Sequence, residues 1–324
     1  MTERVKMMKK DLNIYLTTFN RAEMLKDAIK SVLEQTYQNY DLYILDNCSS
    51  DKTGEVVASF SDSRIHYIRH EKNILGGGNI NYALEHNDQE YFMICHDDDI
   101  MLPGMVQREI EYLKANPSTT LVSCQNQVIN AEGIEIPSGD RKPSKTLQFR
   151  DGEFLKAYMS EQQYISFPTI MYRGKFVKEN RVRIDPSVGP SADVKMCFEI
   201  ERAGGTIAIL PDALYCYRMH EGQDSFIHRS EMIRQLFNSM KGDSYYTSKI
   251  SRKDERCYYR RMLYDEACLF GRKTITHKQM MIDERNFSSS IPHLFTDQLI
   301  FYLFCGFSWI FPWAVHGVYR AVKK

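Results

Sequence analysis

The chain has 324 residues and balances 42 basic residues against 42 acidic ones. A chain of this length can bury a large core, as one large domain or one domain with an appendage. The charge balance provides no bulk attraction for nucleic acid, so we expect no nucleic-acid partner. The eight cysteines are scattered singly without a Cys-x-x-Cys pair, which favours reduced thiols in a cytoplasmic protein over a disulfide or zinc framework.

Strand and helix patterns alternate over the first hundred residues. Apolar or alternating runs at 12–16, 41–46, 64–69 and 91–95 predict strands, and the segments between them carry helical patterns. The glycine run at 76–78 predicts a loop that leads into the third helix. Alternation of this kind is typical of an α/β fold with a parallel, doubly wound sheet and helices on both faces.

The later part of the chain is more mixed. We interpret residues 173–190 as a charged, mobile segment, and residues 206–210 and 214–218 as two separate strands. From residue 226 onward only helical patterns remain. The sequence therefore predicts a sheet domain over residues 1–225 and a helical C-terminal extension over residues 226–324.

The C-terminal segment, at about residues 295–322, is rich in Phe, Tyr and Trp, and a basic end follows its uncharged run at 299–315. That run falls short of the ~20 apolar residues that span a bilayer. An aromatic segment with a basic end is typical of a membrane interface, and a core or dimer helix is the alternative. We therefore expect this segment either to contact a membrane surface or to form a homodimer.

Three consecutive acids, Asp97, Asp98 and Asp99, follow the fourth apolar run. In parallel sheets ligands collect at the carboxyl ends of the strands, where Thr17 and Asp46 also stand. Three adjacent carboxylates repel one another unless water or a cation lies among them. The three acids therefore indicate either a site for a divalent metal or an ordinary polar turn after the strand.

Six ordered landmarks resemble the inverting family 2 glycosyltransferases of bacteria, which have the GT-A fold. The resemblance covers about residues 11–225 and includes enzymes of O-antigen, capsule and exopolysaccharide assembly. The landmarks are the turn 17–21, the segment 44–51, the loop 73–81, His96-Asp97-Asp98-Asp99 with Pro103, Ala192-Asp193, and Tyr217-Arg218-Met219-His220.

The resemblance implies a nucleotide-sugar donor and a Mn²⁺ or Mg²⁺ ion that neutralises its diphosphate. Asp97 would reach the ribose, while Asp99, with Asp98, would hold the metal. His220 would close over the diphosphate or join the metal ligands. By the same resemblance, the donor site consists of Thr17, Phe19, Arg21, Asp46, Asn47, Asn79, Asp97 and Asp98.

The chain departs from the family at Asp46-Asn47, where many members have two aspartates. An asparagine both accepts and donates hydrogen bonds, which leaves the base open between uridine, thymidine and another nucleotide. Asn47 is alternatively only a turn residue. A UDP- or dTDP-sugar is the expected donor.

Inversion needs a general base on the face opposite the leaving nucleotide. By motif that base is Asp193. The alternative is an ordinary acid in the first turn of a helix, where capping and the helix dipole favour carboxylates.

We therefore predict an inverting, metal-dependent glycosyltransferase that transfers a sugar to a saccharide or polyprenyl-linked acceptor in cell-surface polysaccharide synthesis. Its expected place is the inner face of the cell membrane. A nucleotidyltransferase or metal-dependent phosphohydrolase on a similar sheet is the alternative, but the turn at 17–21 lacks the glycine-and-lysine phosphate loop that it predicts. A non-catalytic membrane or scaffold protein would leave the acid clusters unexplained.

Overall fold

A computed structural model describes residues 10–136, 143–161, 163–220, 229–271, 277–291, 297–299 and 303. The chain divides into two compact units. The first holds Met1–Asp151, Tyr164–Pro186 and Ala192–Gln223, and the second holds Gly152–Gln163, Ser187–Ser191 and Asp224–Lys324. Two short segments that precede residue 225 thus belong with the helical part of the chain.

The described strands form one mixed sheet in the first unit. They are β1 Leu12–Thr18, β2 Tyr40–Asp46, β3 Ile65–Arg69, β4 Tyr91–His96, β5 Ile100–Met101, β6 Leu121–Ile129, β7 Glu135–Ile136, β8 Leu147–Phe149, β9 Ile170–Arg173 and β10 Ile207–Arg218. The order across the sheet is β3-β2-β1-β4-β9-β6-β10-β5, with β7 beside β6 and β8 beside β10. The neighbours among β1 to β4 pair in parallel, as do β6 and β10, whereas β9 runs antiparallel to both β4 and β6.

Helices follow the strands and continue beyond the sheet. They are α1 Ala22–Leu33, α2 Thr53–Ala58, α3 Leu75–His86, α4 Met105–Ala115, α5 Glu153–Ser160, α6 Gly174–Glu179, α7 Ala192–Arg202, α8 Arg229–Met240, α9 Ser244–Lys249, α10 Arg252–Gly271 and α11 His277–Ser290. Short 3₁₀ turns occupy Phe167–Thr169 and Pro186–Ser191. The predicted α/β architecture with a helical extension is confirmed.

The central position of β1 in the sheet explains why residues 12–16 have the apolar pattern of a buried strand. It pairs with β2 on one side and β4 on the other, so that Leu12 lies opposite both Tyr40 and Tyr91. All residues of β1 except Thr17 are buried. Helix α1 covers the sheet through Leu25 and other apolar residues at helical spacing. The carboxyl ends of β1, β2 and β4 are therefore brought side by side.

The glycine run lies in a helix and not in a loop, so that prediction was wrong. Helix α3 begins at Leu75 and contains Gly76, Gly77 and Gly78. The start of the helix is fixed from outside, because Asn47 Oδ1 accepts the backbone N–H of Ile74 at 2.8 Å. Such a tertiary contact offsets the weak helix propensity of glycine.

A further expectation was wrong at the last strand of the sheet. Residues 207–218 form the single strand β10, which keeps one ladder with β6 through register shifts around Ala213. A β-bulge produces such shifts and bends a strand without ending it. The segment at 173–190 contains helix α6, which begins at Gly174, and the second 3₁₀ turn, while its mobility stays a prediction. A Cβ on Gly174 would lie 2.3 Å from the carbonyl oxygen of Gln89, so the chain must approach closely there.

The regular secondary structure described in the second unit is helical, and aromatic rings pack between its helices. The rings of Tyr158 in α5 and Tyr258 in α10 stack with centroids 5.7 Å apart, and Phe237 in α8 lies 5.1 Å from Tyr258. The Arg261 guanidinium lies 4.5 Å from the centre of the Tyr258 ring. Stacking and cation–π contacts of this kind join three helices without a sheet.

No described helix combines the length and the apolar character that crossing a membrane requires. Apart from residues 297–299 and 303, the predicted aromatic segment at 295–322 lies outside the described residues.

Candidate active site

Three acids occupy the turn between β4 and β5, called here the acid turn: Asp97, Asp98 and Asp99. Only 1%, 6% and 3% of their surfaces are exposed. The apolar strand β4 carries the chain to the edge of the sheet, and β5 returns it by pairing with β10. Three buried carboxylates are costly unless donors or cations surround them, so their partners define the site.

The loop after β1 supplies partners to the first two acids. Asp97 accepts the backbone N–H of Phe19 at 3.3 Å and the Arg21 guanidinium at 3.0 Å. The same Nη1 atom of Arg21 lies 3.1 Å from Asp98 Oδ2. The same Asp98 Oδ2 atom lies 3.0 Å from His220 Nε2. Arg21 thus bridges two acids, and His220 reaches the site from beyond the last strand.

Strand β10 holds the third acid. Asp99 Oδ1 accepts the backbone N–H of Arg218 at 2.8 Å, and Asp99 Oδ2 accepts the hydroxyl of Tyr215 at 3.1 Å. The Arg218 guanidinium also donates from Nε to the carbonyl oxygen of Asp98 at 2.8 Å. The acid turn is therefore fixed by both the first and the last strand of the sheet domain.

The three acids differ in charge because their surroundings differ. Burial raises the pKa of Asp97, although Arg21 opposes the shift. Burial would also raise the pKa of Asp98, but the charge of His96, the His220 hydrogen bond and Arg21 hold it below its ordinary value. Burial and the neighbouring Asp98 charge raise the pKa of Asp99 well above its usual range. Of the three acids, Asp98 is therefore the one whose charge its surroundings favour, and Asp99 the one whose charge they disfavour most.

A divalent cation fits this group of side chains. One ligand atom from each of His96, Asp98 and Asp99 lies within 4.8 Å of the other two. Two carboxylates and an imidazole suit Mn²⁺, and carboxylates suit Mg²⁺. Within the described part of the chain each oxygen of Asp99 accepts one hydrogen bond, and a carboxylate oxygen has a second lone pair for a metal. His220 touches Asp98 but is not in this group, so its assignment to the metal stays a prediction.

The end of β2 forms a second polar group. Asp46 is fully buried and accepts the backbone N–H of Ser49 at 2.8 Å and the hydroxyl of Tyr67 at 2.5 Å. The Arg69 guanidinium lies 3.6 Å from Asp46 Oδ2, the atom that accepts the Tyr67 hydroxyl. Burial raises the pKa of Tyr67, which keeps its hydroxyl a donor. On β1, Thr17 donates to the carbonyl oxygen of Cys95 at 3.2 Å.

The two asparagines predicted for the donor site are engaged within the protein. Asn47 donates to Asn73 Oδ1 at 2.9 Å and accepts from Ile74, which ties the end of β2 to the start of α3. Asn79 donates to the carbonyl oxygen of Leu45 at 2.9 Å, and its Oδ1 lies 3.0 Å from His70 Nε2. Their contact with a donor stays a prediction.

Three residues around these strand ends have a left-handed backbone without being glycine. They are Asn20, Cys48 and Leu75, with φ of 52°, 66° and 64°. Asparagine tolerates this region, but it is unusual for leucine, and strained backbone is common near functional sites. Leu75 is also 71% exposed. It is a candidate ligand contact that no sequence pattern indicated.

Asp51 fixes the geometry of two of these loops. Its Oδ2 accepts the first backbone N–H of α1, from Ala22, at 3.0 Å, and its Oδ1 accepts the N–H of Thr53 at the start of α2, also at 3.0 Å. The Asp51 carboxylate thus caps both helices and reduces the free-energy cost of the unpaired backbone N–H groups at the start of each one. The loops after β1 and β2 are therefore linked to each other.

Asp193 lies in the first turn of α7 and is half-buried. Its Oδ1 accepts the backbone N–H of Val194 at 2.7 Å. Burial raises the pKa of Asp193, while that N–H and the charge of His96 oppose the rise. His96, whose ring lies 5.8 Å from that of Phe167, is thus within electrostatic reach of both Asp193 and the acid turn. The role of Asp193 as the general base stays a prediction.

The structure adds residues that sequence reasoning missed: Tyr67, Arg69 and Tyr215. Each contacts a predicted acid from a strand remote in sequence, such as Tyr215, 116 residues after Asp99. The only local signal was a tyrosine or an arginine within a strand pattern. That signal is common, so it could not single out these residues.

Comparison with known proteins defines the family. The profile described as "Glycosyl transferase family 2" matches residues 14–178, just over half of the chain, and the chain belongs to that family. An uncharacterized glycosyltransferase of Haemophilus influenzae is 24% identical over 248 residues, which cover 74% of this chain and 75% of the relative. WfgD of Escherichia coli, a UDP-Glc:alpha-D-GlcNAc-diphosphoundecaprenol beta-1,3-glucosyltransferase, is 31% identical over 123 residues, 38% of this chain and 48% of that protein.

Two solved structures share the fold. S. aureus TarS 1–349 in complex with UDP-GlcNAc has a TM-score of 0.64 at 15% identity, with 87% of this chain and 82% of that chain covered. The mannosyltransferase PcManGT from Pyrobaculum calidifontis, in complex with GDP-Man and Mn²⁺, has a TM-score of 0.56 at 15% identity, with 72% and 65% covered. The predicted GT-A fold is confirmed. The chain is a glycosyltransferase, which sets aside the nucleotidyltransferase and phosphohydrolase alternative.

The geometry of the acid turn predicts unequal responses to two isosteric substitutions. In Asp99→Asn the side chain still accepts from Arg218 and pairs with the Tyr215 hydroxyl, so the free energy of unfolding should fall by less than about 1 kcal/mol. In Asp98→Asn the charge that faces Arg21 and His220 is lost, and the fall should be about 1–3 kcal/mol. Urea denaturation in EDTA measures both, and equal losses would contradict the different roles.

Proposed function

We propose that the chain is an inverting, metal-dependent glycosyltransferase that uses a nucleotide-diphosphate sugar in cell-surface polysaccharide synthesis. The observation that carries the proposal is the buried acid turn, where Arg21 and His220 converge on Asp97 and Asp98. A diphosphate with a divalent cation would complete such an arrangement, since carboxylates bind the metal and basic groups bind the phosphates. The relative WfgD, named for UDP-Glc and a lipid-linked saccharide, supports the substrate class.

In the proposed reaction the acceptor hydroxyl oxygen forms a bond to the anomeric carbon of the sugar. The bond from that carbon to the β-phosphate oxygen breaks, and the nucleoside diphosphate leaves with the electron pair. Asp193 takes the acceptor proton. Because attack comes opposite the leaving group, the anomeric configuration inverts. The raised pKa of Asp193 strengthens its carboxylate as a base.

The residues of the acid turn bind the other end of the donor. Mn²⁺ or Mg²⁺, held by Asp98 and Asp99 with His96 or His220 as a further ligand, would neutralise charge on the leaving diphosphate. Arg21, which already bridges two carboxylates, would donate to phosphate oxygens in this proposal. Asp97 accepts from the ribose hydroxyls in this proposal.

The ends of β1 and β2 form the proposed base and ribose pocket. Thr17, Phe19, Asp46, Asn47 and Asn79 are the candidate contacts, and Tyr67 fixes Asp46 in place. A UDP- or dTDP-sugar is the proposed donor. The neighbour TarS was solved with UDP-GlcNAc, which supports uridine.

The acceptor is a saccharide or polyprenyl-linked hydroxyl in this proposal, and the enzyme acts from the cytoplasm at the inner face of the cell membrane. The uncharged aromatic run at 299–315, followed by basic residues, supports a peripheral contact with the membrane. The same segment is the proposed interface if the chain is instead a homodimer.

The metal part of the proposal is tested by binding of UDP in Mn²⁺ and in EDTA. Calorimetry should give binding at least about tenfold tighter with Mn²⁺, or about 1.4 kcal/mol. Asp99→Asn, which keeps the hydrogen bonds of the turn, should remove this difference because an amide is a weaker metal ligand than a carboxylate. Equal affinity in Mn²⁺ and EDTA would refute metal dependence, and dTDP titrated in parallel compares the bases.

The base pocket is tested by Tyr67→Phe, with Tyr37→Phe as the matched control. Both tyrosines donate to an aspartate at 2.5 Å, but the Tyr37 partner is Asp11, just before β1 and at the opposite end of the strands. Both variants should lose about 1 kcal/mol of stability. Only Tyr67→Phe should weaken UDP binding, by about tenfold. Unchanged UDP affinity in Tyr67→Phe would remove Asp46 from the donor site.

The role of Asp193 is tested by Asp193→Asn, in which the Oδ1 atom still accepts from Val194. Loss of the base should lower kcat by about 100-fold or more while the Kd for UDP stays within about twofold. UDP release with a lipid extract of the producing cells as acceptor measures the rate. Glu199→Gln removes one charge from the same helix and should leave the rate unchanged. Loss of UDP binding in Asp193→Asn would assign Asp193 a structural role.

A further inference from the structure

A pocket in the second unit shares no residue with the donor, metal or acceptor chemistry described above. Its volume is about 570 Å³, and its lining comes from α5, α9, α10 and the turn between α9 and α10. Lys156, Lys249 and Lys253 line it, with Asp254 as the acid of the lining. Because all of these residues belong to the second unit, the pocket is formed within that unit. Its lining carries a net positive charge.

The acid of the lining is engaged in a helix cap. Ser251 precedes α10, and its backbone N–H and hydroxyl donate to Asp254 Oδ2 at 2.8 and 2.6 Å. The Asp254 N–H donates back to the Ser251 hydroxyl oxygen at 3.3 Å. This reciprocal arrangement is a capping box. Since Oδ2 of Asp254 is used in the cap, the net positive charge of the lining comes from its three lysines.

One of the lysines is held in place before any ligand binds. Gly152 has a φ of +85°, and a Cβ there would lie 2.7 Å from Cγ of Lys249. The aliphatic part of Lys249 therefore packs directly over the glycine backbone. Its Nζ lies 5.5 Å from the centre of the Tyr245 ring. A lysine positioned in this way loses less conformational entropy when it binds an anion.

We propose that this pocket binds the diphosphate group of a molecule other than the nucleotide sugar. Lysine ammonium groups act as point charges toward phosphate oxygens, and here three of them come from three helices. Such separate charges suit an anion with several oxygens better than a single carboxylate. The volume lies within the range of small-molecule sites and exceeds what one phosphate fills.

Cys257 is an exposed thiol in the lining and provides a site-specific probe. We expect inorganic pyrophosphate, added to the full chain in EDTA, to slow the reaction of Cys257 with N-ethylmaleimide. At about twice the Kd, about two thirds of the pockets are filled and the rate falls about threefold. Mass spectrometry of the peptide that contains Cys257 measures the rate. No slowing at any pyrophosphate concentration up to the solubility limit would overturn the proposal.

Paired substitutions separate the pocket from general charge effects. Lys156→Gln with Lys253→Gln removes two exposed charges from the lining and leaves Lys249 over Gly152, so protection should be lost. Lys241→Gln with Lys278→Gln removes two exposed charges of the same unit outside the lining, and protection should remain about threefold. Equal protection in the two double variants overturns the proposal.

A folding defect in the lining variant is controlled by the single substitution Lys253→Gln. Lys253 is exposed in the first turn of α10, so the helix content measured by circular dichroism should not change. Pyrophosphate should bind this variant about threefold or more weakly. Unchanged affinity would contradict a diphosphate contact at Lys253 and overturn the proposed site.

A diphosphate reaches the pocket either on a lipid or in a water-soluble molecule. Protection by phosphatidylcholine vesicles that carry a polyprenyl diphosphate, at a lower concentration than pyrophosphate requires, assigns the lipid. Protection by pyrophosphate without further protection by the vesicles assigns a soluble ligand. Sodium sulfate at the same ionic strength should protect less, and equal protection by sulfate overturns the assignment to diphosphate. Because the assay needs no metal, its failure would leave the proposed glycosyl transfer intact.

Discussion

The candidate site depends on the contact between the acid turn and β10. Asp99 is fixed by the backbone N–H of Arg218 and the hydroxyl of Tyr215, and both partners lie on a strand more than a hundred residues away. These bonds allow a turn of three acids to be buried instead of solvated. Without them, burial of Asp99 would leave two carboxylate oxygens without donors, at a cost of several kcal/mol. The sheet order, with β5 returning along β10, is what makes the contact possible.

The same contact explains why three identical side chains acquire different chemistry. Arg21 and His220 hold the pKa of Asp98 below its ordinary value, whereas burial beside the Asp98 charge raises the pKa of Asp99. The alternative of two adjacent buried charges is unfavourable. A cation placed near Asp98 and Asp99 would remove the repulsion between their charges. The electrostatics of the turn and the proposed metal chemistry therefore follow from the same arrangement of acids. Arg21, in the loop after β1, already supplies part of the positive charge that the three acids require.

The sequence predicted those parts of the fold that local pattern determines. The apolar run of β1 and the polar residues after β1, β2 and β4 located the sheet edge where the acids meet. Local pattern failed where distant contacts decide the conformation. Helix α3 begins at Leu75 because Asn47 accepts a hydrogen bond from the backbone N–H of Ile74, the residue before it. Strand β10 remains one strand because β6 pairs with it on both sides of its bulge. Tyr67 and Tyr215 were missed for the same reason, since each contacts its acid across the sheet, from 21 and 116 residues away in sequence.

The separation of Asp99 from its partners also has a consequence during synthesis of the protein. Arg218 follows Asp99 by 119 residues. At about 5–20 residues per second, the ribosome needs roughly 6 to 24 s to supply the strand that buries the turn. During that interval Asp99 has neither the Arg218 N–H nor the Tyr215 hydroxyl as a donor, so its carboxylate must be satisfied by water until β10 is complete.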